Sequence, residues 1–280
     1  MAKIPLPEHS TIRAIDQAVE DNADRKFRSH LGASSIGRPC DRELYYSFRW
    51  VFNVKHSGRI LRLFARGQRE EDVFVDLLRQ AGMEVHEKDD RGRQFRFSAV
   101  EGHFAGSVDG VVKGVPEAPD KWHVLECKTA NDSSFKDMVK KKLEVSKPEH
   151  YAQVQCYMLG LDIDRCLYLM VNKNTDEIYQ ERVELKKRRA KSFVDRAQLV
   201  VYASTLPDRI SDDPSWYQCK FCDYTTVCHS DETPAKNCRT CEHASPSDDK
   251  SWQCAKWDDT IPHETLFTGC EAYQLKEILK

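Results

Sequence analysis

The chain has 280 residues and a formal net charge of −2, with a mass of 32.4 kDa and a pI near 6.6. This length predicts one good hydrophobic core with a small additional lobe. The charge excludes a passive nucleic-acid coat, which would be strongly basic overall. No apolar run approaches the ~18 residues of a membrane span, and the N-terminus lacks the pattern of a signal peptide. We therefore expect a cytoplasmic protein with no membrane contact.

The first elements are a polar arm and a long helix. Residues 1–30 contain one weak amphipathic helix near residues 12–19, which indicates an N-terminal arm. Over residues 58–85, apolar side chains recur at helical spacing. The buried stripe contains Glu71, where a carboxylate is costly unless it is paired or binds metal; the alternative is an edge position that reaches water. Gly67 would let another backbone approach closely. The full stripe is Ile60, Phe64, Gly67, Glu71, Phe74 and Leu78.

Strand-like runs follow, and they carry the most informative polar residues. The period of two places Glu126 and Lys128 on one face, and Asp109 lies in the preceding run. Two carboxylates with substrate phosphate oxygens suit Mg²⁺ or Mn²⁺, and a lysine can orient or deprotonate a water held by the metal. The alternative is a solvated face of an edge strand. The predicted strands span 94–100, 103–113, 122–130 and 166–173, with a hairpin turn at 172–176 and a return strand to Leu185.

Two helices are predicted beyond the third run. Pro148 begins one that ends near Gly160, and Gln153 and Tyr157 lie one turn apart on the same face. These two side chains could hold a phosphate, a water or Lys128, whereas an ordinary amphipathic helix with a core tyrosine is the alternative. The other helix covers residues 186–204, with Phe193, Ala197, Val200 and Val201 facing inward. Helix, three strands, helix and strand make an α/β core.

These motifs, in this order, resemble the RecB-type branch of the PD-(D/E)xK nucleases. The family pattern is GxxxE or GxxxH on a helix, D and ExK on strands, and QxxxY on a helix. The resemblance covers about residues 30–230 and implies a restriction-endonuclease-like α/β fold. Val108 stands where the superfamily name has proline, and iron-sulfur members often have histidine at the place of Glu71. The matching residues are Gly67 and Glu71, Asp109, Glu126-Cys127-Lys128, and Gln153 and Tyr157.

The resemblance implies a metal-dependent DNA exonuclease that cuts single-stranded or frayed DNA from its ends in recombination, repair, phage replication or spacer capture. Asp109, Glu126 and the Cys127 carbonyl would bind Mg²⁺ or Mn²⁺, and Glu71 would complete or tune the site. Lys128 would position or activate the attacking water, and the QxxxY pair would hold the scissile strand or Lys128. Two alternatives are a catalytically silent adaptor for DNA ends or a partner, and a zinc-dependent regulator that only resembles a nuclease.

The sequence contains 11 cysteines, which in a cytoplasmic chain indicate metal sites rather than disulfides. Cys219, Cys222 and Cys228 are spaced C-x2-C-x5-C, and three thiolates cannot complete a tetrahedral site alone. The resemblance to iron-sulfur members, including the AddB nuclease domain and the CRISPR-adaptation nucleases, implies that Cys40 is the fourth ligand of a 4Fe-4S cluster. That cluster would clasp the two ends of the core together. Cys127, Cys156 and Cys166 fall in predicted core elements.

The last four cysteines predict a small lobe held by one Zn²⁺. Cys238, Cys241, Cys254 and Cys270 are spaced C-x2-C-x12-C-x15-C, and His243 or His263 could replace one of them. A rival zinc-ribbon grouping takes Cys219, Cys222, Cys238 and Cys241, but it leaves four other cysteines without partners.

The predicted domains are a 1–30 arm, a 31–231 nuclease domain with the 4Fe-4S cluster, and a 232–280 zinc lobe. Trp252, Trp257 and Phe267 exceed the aromatic surface that so small a lobe can bury. We therefore expect a protein partner to dock through the zinc lobe, in addition to DNA as the substrate.

Overall fold

The computed structural model describes residues 9–23 and 27–280. The strands are β1 (Leu31–Gly32), β2 (Glu84–His86), β3 (Arg96–Ala99), β4 (Phe104–Ser107), β5 (Gly110–Lys113), β6 (His123–Ala130), β7 (Arg165–Asn172), β8 (Ile178–Glu184), β9 (Ala244–Pro246), β10 (Trp252–Cys254) and β11 (Asp259–Thr260). The α-helices are α1 (Ser10–Asp21), α2 (Asp41–Arg49), α3 (Gly58–Gln80), α4 (Asp132–Ser146), α5 (Pro148–Leu161), α6 (Lys187–Val201), α7 (Tyr217–Lys220) and α8 (Thr225–His229). Among the described helices, none is long and apolar enough to cross a membrane.

The central sheet has five strands in the order β2-β5-β6-β7-β8. β6 and β7 pair in parallel, while the other neighbours pair antiparallel. Because side chains alternate along β6, Leu125 and Cys127 pack with the buried residues of α3. Val124 and Ala130 belong to the larger cluster on the opposite face, which includes residues of α4, α5 and α6. The sheet therefore lies between α3 and the later helices, and the predicted α/β core is confirmed.

The predicted strand over residues 103–113 is two strands in different sheets. β4 pairs with β1 and β3, whereas β5 joins the central sheet beside β2 and β6. The chain crosses between the sheets just after Val108, whose N–H donates to the Phe95 carbonyl at 2.9 Å. Asp109 thus lies at the junction of two sheets and not inside one strand. The hairpin turn after β7 is confirmed, since the Asp176 N–H donates to the Asn172 carbonyl at 2.8 Å.

The long helix α3 ends at Gln80, and Val85, predicted to lie at its end, belongs to β2. Phe74 and Leu78 are buried as predicted. Phe64 is 51% exposed, and a Cβ added at Gly67 would meet no atom within 4 Å. The prediction that the first half of the stripe is buried is therefore wrong, because α3 reaches the sheet only through its second half.

Helix α1 contacts the first half of α3, and it confirms the helix predicted within the arm. Glu20 accepts a hydrogen bond from the Gly58 N–H at 2.6 Å, and Arg62 pairs with Asp16. Residues 1–8 and 24–26 of the predicted arm lie outside the described residues.

The C-terminal segment packs directly on α2 and shares a hydrophobic cluster with the rest of the chain. Trp252 is fully buried, and Phe267 stacks on Trp50 with ring centroids 4.9 Å apart. Trp257 remains 56% exposed. The aromatic surplus of this segment is thus mostly buried within the chain, so the argument for a docking partner loses two of its three residues. The boundary at residue 231 stays a prediction.

Candidate active site

Asp109, Glu126 and Lys128 meet at the junction between the two sheets. Asp109 Oδ2 accepts a hydrogen bond from the Cys127 N–H at 2.8 Å. Lys128 Nζ forms an ion pair with Glu126 Oε1 and donates to the Cys127 carbonyl at 3.2 Å. The structure therefore brings the separate D and ExK motifs together, and it holds Asp109 through the backbone of the strand that carries the other two.

Three carboxyl groups of this pocket have raised pKa values. Burial raises the pKa of Glu126 to about 8, against the opposing effect of Lys128. Burial also raises the pKa of Asp109, against Lys128 and the Cys127 N–H. On α3, burial and the Asp109 charge raise the pKa of Glu71 to about 7. Because ionising all three groups concentrates negative charge in a poorly solvated space, the pocket favours a bound cation.

Lys128 is a stable cation in this pocket. Burial disfavours its ammonium, but the charges of Glu126 and Asp109 outweigh burial and raise the pKa of Lys128. Its side chain keeps 24% exposure. A protonated lysine donates hydrogen bonds, and it cannot accept a proton. The contacts of Lys128 therefore favour orientation of a water or phosphate over proton abstraction.

Helix α5 places Gln153 and Tyr157 over the same pocket. Gln153 Nε2 donates to the Tyr157 hydroxyl at 3.0 Å. Burial, with a smaller effect of Glu126, raises the pKa of Tyr157, so the phenol keeps its proton. A Cβ added at Gly106 of β4 would lie 2.7 Å from the Tyr157 hydroxyl. Gly106 is therefore a residue that the sequence analysis missed, and it allows Tyr157 to approach β4.

His150 and Tyr168 were also missed. His150 Nδ1 lies 2.8 Å from the Tyr168 hydroxyl, and Tyr168 on β7 is in register with Glu126 on β6. Burial, followed by the charge of Lys128, lowers the pKa of His150 to about 3. Helical spacing could have identified His150, since it precedes Gln153 by three residues and therefore lies on the same face of α5.

The four predicted ligands of the iron-sulfur cluster line one cavity of about 360 Å³. They are Cys40, Cys219, Cys222 and Cys228. Burial and the neighbouring Cys228 and Cys40 raise the pKa of the Cys219 thiol. Burial raises the pKa of Cys222 to about 12. The structure thus brings Cys40 to the three C-terminal cysteines, although it comes from the opposite end of the core.

The four predicted zinc ligands line a second, smaller pocket. Cys238, Cys241, Cys254 and Cys270 surround it, together with His243. Burial and the other three cysteines raise the pKa of Cys238 to about 11. His263 instead packs edge-on against Phe267, with centroids 5.1 Å apart.

The two pockets separate the cysteine pairs that the rival zinc ribbon would join. Within residues 9–23 and 27–280, no group of three or more His, Cys, Asp or Glu side chains has the geometry of a metal site.

The site is thus a buried acidic pocket with a paired lysine, at the junction of the central sheet with β4 in a mixed α/β fold. The sequence matches the PD-(D/E)XK nuclease superfamily over residues 17–229, and the chain belongs to this superfamily. This result confirms the predicted superfamily. No curated protein matches the sequence.

Three solved structures show distant similarity to this chain. The crystal structure of SSO0001 aligns with a TM-score of 0.44 and 14% identity, over 81% of this chain and 99% of that one. LHK-Exo, in complex with dAMP, aligns with a TM-score of 0.43 and 16% identity over 67% and 90%. The alkaline exonuclease LHK-Exo from Laribacter hongkongensis gives 0.44 and 15% over the same shares. Similarities this distant carry no inference about activity.

Proposed function

We propose that this protein is a metal-dependent deoxyribonuclease that hydrolyses phosphodiester bonds from DNA ends. The observation that carries the proposal is the meeting of Glu71, Asp109, Glu126 and Lys128 in one poorly solvated pocket. Membership of the nuclease superfamily supports DNA hydrolysis in general terms. The restriction to single-stranded or frayed ends rests on the resemblance to RecB-type members.

The donor chemistry of the pocket suits a divalent cation. Glu126 Oε2 is buried without a hydrogen-bond partner among the described residues, and hard carboxylate oxygens suit Mg²⁺ or Mn²⁺. Asp109 and Glu126 would hold the ion, with the Cys127 carbonyl as third ligand and Glu71 completing the set. When bound, the ion supplies Lewis acidity and stabilises the negative charge that develops at phosphorus.

The remaining side chains position the reactants. The Lys128 ammonium donates hydrogen bonds to the attacking water or to a phosphate oxygen, because it stays protonated beside Glu126 and Asp109. The Tyr157 hydroxyl accepts from Gln153, which leaves its own proton free to donate to the scissile strand. Gln153 and Tyr157 thus hold the scissile strand, or Lys128, in place.

The test is cleavage of end-labelled single- and double-stranded DNA with Mg²⁺ or Mn²⁺. Asp109→Ala, Glu126→Ala and Lys128→Ala should each reduce turnover by at least about 100-fold, the scale of a lost electrostatic contact to the transition state. Asp76→Ala, an exposed acid on α3, is the matched control. Near-normal turnover in one of the three variants would remove that residue from the mechanism. DNA binding without cleavage by the wild type would favour the adaptor.

We also infer that Cys40, Cys219, Cys222 and Cys228 hold a 4Fe-4S cluster, as the resemblance implies. Their shared cavity supports this ligand set. A cluster there would contribute its binding free energy to folding. Protein purified without oxygen should contain about four irons per chain, and Cys40→Ala should lose them, while Cys156→Ala, in the core of α5, should not. Zinc in place of iron in the wild type would contradict the cluster.

We infer in the same way that Cys238, Cys241, Cys254 and Cys270 hold one Zn²⁺. Their common pocket and the mutual effect on the Cys238 pKa support the grouping. Metal analysis should find one zinc per chain, which Cys254→Ser and Cys270→Ser each remove while iron is retained. Zinc retained in both variants would overturn this set.

A further inference from the structure

His150 lies in the first turn of α5, outside the motifs that define the site. It shares a helix face with Gln153 and Tyr157 at spacings of three and seven residues. Its imidazole is half-buried, and Nδ1 lies 2.8 Å from the Tyr168 hydroxyl. Nε2, on the far side of the ring, makes no hydrogen bond to the described residues. The side chain is thus fixed at one nitrogen and available at the other.

Tyr168 fixes the position of the His150 ring. It is fully buried and sits opposite Glu126 in the parallel β6–β7 register. Burial raises the pKa of Tyr168, so the phenol keeps its proton. When that proton is donated to Nδ1, the imidazole proton lies on Nε2. Tyr168 therefore prepares Nε2 as a hydrogen-bond donor.

Resting on the nuclease function proposed above, we propose that His150 Nε2 donates a hydrogen bond to a phosphate oxygen of the DNA strand next to the scissile phosphate, with Tyr168 as its positioning residue. The nearby Lys128 and Lys147 favour an anion here. The same two charges, after burial, keep His150 neutral by lowering its pKa to about 3. A neutral imidazole with a fixed tautomer still donates one directed hydrogen bond, which a phosphate oxygen accepts.

Kinetics of the full-length protein on single-stranded DNA test the role. His150→Ala should lower kcat/KM by about 10- to 100-fold, the loss expected for one hydrogen bond to a charged group. His150→Gln, which keeps an N–H donor, should recover part of that loss. Tyr168→Phe should reduce kcat/KM less, and it should add nothing in the His150→Ala background, because it acts through the ring. His86→Ala, an exposed histidine on β2, is the control. Iron content and melting temperature check the fold of each variant.

A methylphosphonate scan identifies the contacted phosphate. Neutral methylphosphonates are placed singly at the linkages that flank the cleavage position. In the wild type, one position should reduce kcat/KM, and His150→Ala should be insensitive at that position alone. Equal penalties in both proteins at every linkage, or His150→Ala activity within about two-fold of wild type, would overturn the assignment. Wild-type protein that cuts no DNA would instead overturn the nuclease function on which the assignment rests.

Discussion

At the scale of single residues, the candidate site combines more acids than bases. Glu71, Asp109 and Glu126 face one lysine, and all three carboxyl pKa values are raised. A folded-state pKa above the unfolded value means that the folded protein binds more protons over the interval between them. The metal-free site therefore loses stability as pH rises through these pKa values.

Glu71→Gln tests this linkage. The folded pKa of Glu71 is about 7, against 4.5 as its ordinary value, so its contribution is fully present below pH 4.5 and is lost as pH rises through 7. Without added metal, the variant should match the wild type near pH 4.5 and melt a few degrees higher at pH 8. Thermal melts from pH 4.5 to 8.5 measure the difference. A constant difference across that range would show that Glu71 does not titrate in this way.

The same pKa values predict how metal affinity depends on pH. A cation needs ionised carboxylates, so protons compete with it until the pH exceeds about 7 for Glu71 and about 8 for Glu126. The Kd for Mn²⁺ should therefore fall steadily between pH 6 and 8.5. Calorimetric titrations at several pH values measure it, and Asp109→Ala supplies the baseline without a site. An affinity that is flat over this range would contradict the raised values.

At the scale of elements, sequence periodicity predicted the helices and strands whose pattern of burial is the same from end to end. β6, β7, α5 and α6 lie within a few residues of the predicted bounds, because each keeps at least one buried face along its length. The run 103–113 also has a continuous β pattern, yet it changes sheets at Asp109. A period of two reports alternating faces and carries no information about which strand pairs alongside. The junction that positions Asp109 was therefore beyond the reach of the pattern.

Glycine positions show the same limit. Gly67 was expected to allow close packing, but the space around it is open. The close approach occurs at Gly37, where a Cβ would lie 2.5 Å from the Glu149 Cα and 2.8 Å from the Pro148 carbonyl oxygen. Gly37 thus lets the loop before α2 touch the first turn of α5, which carries His150. Only the tertiary arrangement reveals which glycine has a neighbour.

Substitution of these two glycines should have opposite effects. Gly37→Ala should destabilise the protein by about 1–3 kcal/mol, because backbone atoms must move to admit the methyl group. It should also reduce cleavage by displacing the start of α5. Gly67→Ala, the matched control in the interior of α3, should be neutral or stabilise by up to about 1 kcal/mol. Chemical denaturation measures both. Equal free energies of unfolding for the two variants would mean that the loop at Gly37 moves to admit the methyl group without loss of stability.

At the scale of the whole molecule, the C-terminal segment is joined to the core by a buried arginine. Arg239 lies between Cys238 and Cys241, and its guanidinium carbon is 3.7 Å from the Trp50 ring centroid. It donates to the Phe48 carbonyl at 2.9 Å and to the Ser29 carbonyl at 2.7 Å. Burial and the nearby Arg49 lower the pKa of Arg239. Two buried cations held by carbonyls and aromatic rings make this contact specific.

The sequence predicted the need for this contact but not its partner. The aromatic excess of the C-terminal segment was evident from composition, and a surface too apolar for a small lobe must be covered. The cover is α2, nearly two hundred residues earlier in the chain. Contacts at such separation leave no local pattern. A separately folding zinc lobe was therefore the simplest expectation from spacing alone.

The buried contact predicts that the nuclease domain does not survive without its C-terminal segment. Truncation after Asp231 would expose Trp50 and remove Arg239, so the remaining chain should be aggregated or partly unfolded and should lose both iron and cleavage. In the full chain, Arg239→Ala should lower the free energy of unfolding by about 3 kcal/mol or more, because it leaves a cavity and unpaired carbonyls. Glu232→Ala, exposed at the start of the segment, should change stability by less than about 0.5 kcal/mol. Size-exclusion chromatography, iron analysis and denaturation measure these outcomes. A truncated protein that stays monomeric, keeps its iron and cuts DNA at the full rate would show that the segment is a separate domain, as the cysteine spacing first predicted.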